Sequence, residues 1–215
     1  MSNMNSFAIL KLACFVVTDG GIYPPKNQIY FDSVDIKLIE AFTKTVRELG
    51  IKKVYINKGH GTFQAYFYSK EVSKTLLRLI TPEKILPIAK IIKLSTSQIA
   101  EILRILFTTD GGVSLSLSKS KVDAKIRIHR KVTYTSTNSE NLKGVQLLLK
   151  SLGIRSKIQG NDVEIKGHGN LLRFKKLIGF LKGVKVTNKS KLWGGLTKNQ
   201  LLNLVIKTYR NTYGE

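Results

Sequence analysis

Hydrophobic positions along the chain fall into runs of two periods, which predict helices alternating with short strands. Residues 7–18 are apolar on most sides. Phe7, Ile9, Leu10, Leu12, Ala13, Phe15, Val16 and Val17 are interrupted by one charge, Lys11, and a helix of that kind is buried on more than one face. Asp19-Gly20-Gly21 is expected to end it, with glycine in the left-handed conformation common after helix C-termini. Pro24-Pro25 and Asn27 divide the next stretch into short extended pieces. Ile36, Ile39, Phe42, Val46 and Leu49 recur at helical spacing and predict an amphipathic helix over 33–50, capped by Ser33. Val54 and Ile56 then alternate with Lys53, Tyr55 and Asn57, and Phe63, Ala65 and Phe67 with Gln64, Tyr66 and Tyr68. These read as two strands joined at Gly59-His60-Gly61. A helix follows over 70–80, and residues 81–94, with Pro82 and Pro87, read as a linker containing one helical turn.

The pattern then begins again. An apolar helix over 96–109 ends in Asp110-Gly111-Gly112. A long hairpin over 113–135, a helix over 139–153, strands near 155–159 and 163–166 and a helix over 170–181 follow. A last helix over 198–213 has no counterpart in the first half. Thr18-Asp19-Gly20-Gly21 recurs as Thr109-Asp110-Gly111-Gly112 at an offset of 91, Leu49-Gly50-Ile51 as Leu152-Gly153-Ile154 at 103, and Leu79-Ile80 as Leu177-Ile178 at 98. Length therefore varies in the strand ribbons and not in the helices, as expected where strands carry variable recognition. The division is a first unit over 1–81, a linker over 82–94, a second unit over 95–183 and a C-terminal extension over 184–215. Gly167-His168-Gly169 lies off this alignment, and it and Gly59-His60-Gly61 read as glycine punctuation with an incidental histidine.

Charge narrows the partner. Against 36 Lys and Arg stand 14 Asp and Glu, a net +22, while 42% of the 215 residues are hydrophobic. Such a chain has real cores and calls for a polyanion, nucleic acid before an anionic membrane surface. No apolar run approaches a membrane span, and the polar, uncharged start does not read as a secretory signal. Cys14 is the only cysteine, which excludes an internal disulfide and a cysteine zinc site and fits an intracellular, reducing compartment.

Each repeat also sets a carboxylate, Asp19 or Asp110, at the C-terminal end of its apolar helix, the wrong sign for the helix dipole. One Thr-Asp-Gly-Gly is a common turn; two copies in repeated units are more informative. If the two apolar helices pack on a pseudo-two-fold axis, the acids approach each other and need a cation between them, or one stays protonated. Oxygen ligands open to water and phosphate suit Mg²⁺, or Mn²⁺. Paired carboxylates, a divalent metal and a basic surface point to phosphodiester hydrolysis. The chain has no Gly-x-x-x-x-Gly-Lys loop and no plausible Ser-His-Asp or Cys-His set.

Residues Leu12-Ala13-Cys14-Phe15-Val16-Val17-Thr18-Asp19-Gly20 resemble a diverged LAGLIDADG motif, and Leu103-Arg104-Ile105-Leu106-Phe107-Thr108-Thr109-Asp110-Gly111 a second copy. With the element order and the repeated Leu-Gly-Ile, the chain resembles the single-chain, two-motif LAGLIDADG homing endonucleases from about Phe7 to Leu181. That resemblance implies an α+β fold of two pseudo-symmetric αββαββα units, with antiparallel sheets forming a DNA-binding saddle. It implies an intron-encoded monomer that cuts both strands of a long, pseudo-symmetric site and leaves short 3′ overhangs. Asp19 and Asp110 would bind the metal. A basic residue after the fourth strand would line the active site, Lys166 in the second half; the aligned first-half position is Tyr68, with Lys70 two residues on. Cys14 and Ile105 at the small third position, and Arg104 where alanine is usual, imply a wider or tilted helix interface.

Strand parity assigns the DNA face. In the second-half hairpin Lys125, Arg127, His129, Lys131, Thr133 and Thr135 share one face, with Ser114, Ser116 and Ser118 on the preceding strand. Ile126, Ile128, Val132 and Tyr134 take the other, with Arg130 as the exception, and Asp123 is the one acid noted nearby. Elsewhere the polar faces are Gln28 and Tyr30, then Lys53, Tyr55 and Asn57, then Gln64, Tyr66 and Tyr68, then Arg155, Lys157 and Gln159. A two-stranded ribbon fits the major groove, where Lys and Arg read guanine edges. Lys185, Lys189, Lys191 and Lys198 are assigned to phosphates and Trp193 to anchoring the C-terminal segment. The charge equally fits an RNA-binding intron maturase without nuclease activity, or a non-catalytic DNA-binding regulator. Retention of both acids favours the nuclease.

Overall fold

The computed structural model describes residues 5–119, 126–187, 190 and 192–210. Its first half runs α1 (Ser6–Val17), β1 (Gly20–Tyr23), β2 (Gln28–Ser33), α2 (Ile36–Glu48), β3 (Tyr55–Lys58), β4 (Phe63–Tyr68) and α3 (Lys70–Leu79). A short α4 (Ile88–Ile91) lies in the connection. The second half repeats the order as α5 (Thr96–Thr109), β5 (Gly111–Lys119), β6 (Ile126–Thr135), α6 (Ser139–Ser151), β7 (Lys157–Gln159), β8 (Asp162–Lys166) and α7 (His168–Leu177), and α8 (Lys198–Arg210) follows. Two antiparallel sheets have the same strand order, β1-β2-β4-β3 and β5-β6-β8-β7. This is the expected mixed α+β fold. Among the described residues no helix is long and apolar enough to cross a membrane.

The two apolar helices are central because their sequences leave no polar side to expose. α1 is buried from Ala8 to Val17, and it packs along α5, buried from Ile99 through Thr108 apart from Glu101 and Arg104. Each sheet turns alternate residues inward. Ile29, Phe31, Ala65 and Phe67 fill the first half with Phe15 and Phe42, and Val132, Tyr134, Val163 and Ile165 fill the second with Phe107 and Phe174. All belong to one continuous core. Lys11 is buried within α1, with Nζ 2.5 Å from Glu48 and 2.9 Å from Glu101 of α5, an ion triad that ties the halves together.

Several expectations change at element ends. α2 is capped by Asp35, whose carboxylate accepts from Lys37 N at 2.9 Å; Ser33 instead holds the turn before it, accepting from Asp35 N at 3.1 Å. α7 spans 168–177, earlier than predicted. Arg104 does not enter the α1–α5 interface. Its Nε donates to Ile178 O at 2.6 Å and its Nη2 to Leu177 O at 3.5 Å, placing the cation at the C-terminal carbonyls of α7. The glycines after the acids are not left-handed; neither Gly20, Gly21, Gly111 nor Gly112 has a positive φ.

Candidate active site and nucleic-acid interface

The acids are built into matching frames. Thr18 Oγ1 donates to Cys14 O and Phe15 O, and Thr109 Oγ1 to Ile105 O and Leu106 O, all at 3.1 Å. Asp19 O accepts from Asp32 N at 3.2 Å and Asp110 O from Thr135 N at 2.9 Å. Each acid therefore sits between a tied helix end and the first rung of a sheet. The following glycine exists for close approach. A Cβ at Gly20 would lie 2.6 Å from Tyr30 O and 2.7 Å from Phe15 O, and one at Gly111 2.5 Å from Thr133 O and 2.6 Å from Phe107 O.

The carboxylates feel each other. Burial, and then the neighbouring Asp19 carboxylate, push Asp110 up to about 7, against the opposing pull of Lys198 and Lys84. Burial likewise raises Asp19; Lys84 and Lys198 oppose the rise and Asp32 adds to it. Like charges brought together in a partly desolvated site hold protons unless a cation joins them. Among the described residues no group of three or more His, Cys, Asp or Glu is placed to hold a metal. A hard cation here would take two carboxylates and complete its shell with water and phosphate oxygens, a donor set that fits Mg²⁺ or Mn²⁺.

Two lysines that the sequence reading did not assign to this site flank the pair. Lys84 Nζ donates to Gly20 O at 2.8 Å; Lys198 Nζ donates to Gly111 O at 2.7 Å and Thr108 O at 2.6 Å. They thus bond equivalent atoms in the two halves. Lys84 holds a left-handed φ of 56°, a conformation a lysine rarely adopts. The turn is pinned from α6, where Asn141 donates to Lys84 O at 2.9 Å and accepts from Leu86 N at 2.8 Å, and Asn138 donates to Glu83 O at 3.2 Å. Lys198 opens α8, whose start is fixed by Gln200 N donating to Thr197 Oγ1 at 3.2 Å and Thr197 N to Gln200 Oε1 at 2.8 Å. Burial lowers the Lys198 ammonium to about 8, although Asp110, Asp35 and Asp19 act to raise it. A cavity of about 360 Å³ opens beside Asp110, Lys84 and Tyr134.

Lys166 and Lys70 fall elsewhere. Asp110 joins the sheet at Thr135, opposite Asp162, whereas Lys166 lies opposite Lys131, four residues along β6 and about 13 Å away at strand rise. Lys166 and Lys131 are ion-paired to the buried Glu164, which they hold below the usual carboxylate range. In the first half Asp19 joins at Asp32, opposite Gln64, while Tyr68 lies opposite Gln28 and Lys70 begins α3 beyond it. Both lysines are thus at the far ends of their strands from the acids. Lys84 and Lys198 are 114 residues apart while the motifs repeat at 91 to 103, so no alignment of repeats connects them.

The strand faces largely follow parity. Gln28, Tyr30, Tyr55, Asn57, Gln64, Tyr66 and Tyr68 share one face of the first sheet by register, away from the core. Tyr55 and Tyr66 stack at 5.1 Å with Tyr68 edge-on, and Lys53, just before β3, sits 5.0 Å over Tyr55. In the second sheet Ser114, Ser116, Ser118, Arg127, His129, Lys131, Thr133, Lys157 and Gln159 share the corresponding face. Lys125, Asp123, Lys189 and Lys191 lie outside the described residues. Three corrections follow. Arg155 precedes β7 and lines a cleft of about 870 Å³ with Lys143, Lys150 and Arg173. Lys198 turns into the acid pair. The faces also carry acids: Asp32 accepts from Gln64 at 2.9 Å, Asp162 from Thr135 at 2.6 Å, and Glu164 holds its two lysines.

Two half-units packed on paired apolar helices, each delivering an acid to the junction and a sheet to one side, define the LAGLIDADG class of fold, and residues 97–179 match the LAGLIDADG-like domain. The chain is similar in structure to the homing endonuclease I-DmoI, in mesophilic variants (TM-score 0.57, 17% identity, 80% of this chain and 89% of that one). It is also similar to the homing endonuclease I-WcaI bound to its DNA recognition sequence (0.58, 17%, 83% and 83%). Full-length DUF199/WhiA from Thermatoga maritima shares the fold (0.56, 15%, 97% of this chain and 62% of that one). No curated protein sequence matches the chain.

Proposed function

We propose that the protein is a site-specific double-strand DNA endonuclease, dependent on a divalent cation and acting as a monomer on a long, pseudo-symmetric site. The observation that carries this reading is the junction itself. Two mutually repelling, partly buried carboxylates end the paired helices, each followed by a glycine whose carbonyl holds a lysine. A module that only held nucleic acid would gain nothing from two acids placed together near a polyanion. I-DmoI has been solved with DNA and Ca, and with DNA and Mn, which supports the same partner and a divalent cation for this fold.

Asp19 and Asp110 would hold the cation. Once bound it supplies an activated water and charge neutralisation at the phosphoryl oxygens. The protein's own groups do the rest. The two frames fix the carboxylates, Lys84 and Lys198 bring positive charge to the same point, and the strand faces set the duplex across the junction. The pseudo-symmetry supplies one acid per half, and one lysine meets the glycine after each acid, which suits one cut per strand with short 3′ overhangs.

Incubation with a randomised duplex library in Mg²⁺ tests this. Recovery of one long, weakly symmetric cut site is expected, lost in Asp19→Asn and Asp110→Asn with binding retained. Binding without cutting by the wild-type chain would overturn the nuclease reading and leave the regulator; tight binding only to intron RNA would leave the maturase.

A further inference from the structure

The second half carries a strand overhang that the first lacks. β8 pairs with β6 only from Lys131 opposite Lys166 to Thr135 opposite Asp162, whereas β5 continues beside β6 as far as Lys119 opposite Ile126. Among the described residues five rungs, beginning at Leu115 opposite Arg130, therefore stand beyond the third strand. In the first sheet β4 accompanies β2 along its whole length, Gln28–Ser33, and nothing is left over. A two-stranded ribbon is marginal in water, and five rungs extend about 17 Å.

The segment after α7 grips the first of those rungs on both strands. On β5, Leu115 O accepts from Trp193 Nε1 at 3.2 Å. On β6, Arg130 Nε donates to Thr208 Oγ1 at 2.7 Å and Nη2 to Thr208 O at 3.0 Å, with the guanidinium 4.4 Å from the Tyr209 ring centre. Tyr209 also stacks on His168 at 5.1 Å, and His168 begins α7 just where β8 has ended. Arg130, the one residue that broke the alternation of β6, is the side chain that meets α8. The half with the overhang is the half with the extension.

We propose that the C-terminal extension is a clamp that fixes the overhanging ribbon as a reading arm. The second half of the DNA site is then recognised about four or five base pairs farther from the centre than the first, since a rung and a base-pair step both advance about 3.4 Å. The reading face is Ser116, Ser118, Arg127 and His129, in which Ser118 Oγ and His129 Nε2 lie 2.6 Å apart. Arg130, Tyr209 and Trp193 are positioning residues that act through this ribbon. The inference rests on the strand faces being a DNA interface.

The test is selection of bound duplexes from a randomised pool in Ca²⁺, with the full chain and its variants. The wild-type chain is expected to select a lopsided site, with one arm four or five base pairs longer. Tyr209→Ala should weaken discrimination about tenfold at the outer positions of that arm, the scale of one mismatched pair, while the short arm stays within about twofold. Tyr209→Phe, which keeps the ring, should restore it, and Trp193→Phe, which removes the N–H and part of the ring while keeping an aromatic anchor, should give a smaller loss at the same positions. Equal arms, a loss spread over both arms, or an unchanged Tyr209→Ala profile beside a lopsided wild-type site would overturn the clamp alone. A wild-type chain that selects no sequence would sink the DNA interface and the clamp with it.

Discussion

Lys84 and Lys198 donate to the carbonyls of Gly20 and Gly111, the residues that follow the two acids, and yet they arrive there by unrelated paths. Lys84 stands in a left-handed turn of the connection between the halves, pinned from α6 by Asn138 and Asn141. Lys198 is the first residue of a capped helix in a segment without a counterpart. The acids differ less, since both cap frames are alike, but Asp110 is the one pushed up to about 7. Symmetry has been kept at the atoms around the two acids and not in the backbone that supplies them.

The largest effect should be common to both. Asp19→Asn and Asp110→Asn are each expected to lower cleavage about a thousandfold or more, the upper range for losing one electrostatic element of an active site. Quantitative cleavage beside a binding titration checks this, and unequal losses would show that the halves do not share the metal evenly. The frames come next. Gly111→Ala should cost about 1–3 kcal/mol, because its Cβ meets two backbone carbonyls, whereas Gly112→Ala meets nothing within 4 Å. Thermal unfolding of the two variants, with Gly20→Ala as the first-half partner of Gly111→Ala, is the measurement.

The lysines should then separate the strands. Lys84→Met and Lys198→Met are each expected to slow cutting about a hundredfold, the lower end for a positioned proton-handling group, and to let nicked duplex accumulate. Nicks on opposite strands would bear out one lysine per half-site; the same strand in both variants would break the comparison. The smallest effect concerns pH. Asp110 moves from an ordinary value of 3.8 to about 7 on folding, so the folded metal-free chain binds the extra proton between those values. Its stability should fall as pH rises through that window and stay level above it as far as Asp110 is concerned. Asp110→Asn should flatten that fall and raise the unfolding temperature at pH 8 in the absence of divalent metal. An unchanged melting profile would mean that burial and the Asp19 charge do not raise the Asp110 carboxyl.

The helices of the two units, both sheets and the positions of the acids are legible because each rests on a local pattern that occurs twice. Thr-Asp-Gly-Gly at an offset of 91 marked the two helix ends, and alternation over Phe63 to Tyr68 gave β4 without error. What was not legible depends on where remote segments arrive. Lys84 is delivered by a backbone angle that its type disfavours and Lys198 from beyond the repeat, so neither offset nor periodicity points to them. The glycines were right in position but wrong in reason, since the crowding of Phe15 O and Phe107 O is invisible until the strands are laid against the helices. Arg104 at a motif position implies a wider or tilted helix interface, whereas its side chain serves the end of α7 in its own half.

The ion triad of Lys11, Glu48 and Glu101 bears on how such a chain can be recombined. At the motif offset of 91, the residue matching Glu101 in the first half is Leu10, and the residue matching Lys11 in the second is Ile102. Two copies of the first half brought together would keep each Lys11 beside its own Glu48 and lose the partner from across the seam. Lys11 would stay paired to Glu48 and Glu101 is 41% exposed, so the loss is that of a partly screened ion pair, about 1 kcal/mol or less. The halves are therefore coded to prefer each other over themselves, and a chimera that exchanges either half inherits the obligation to bring that glutamate or to retire the lysine.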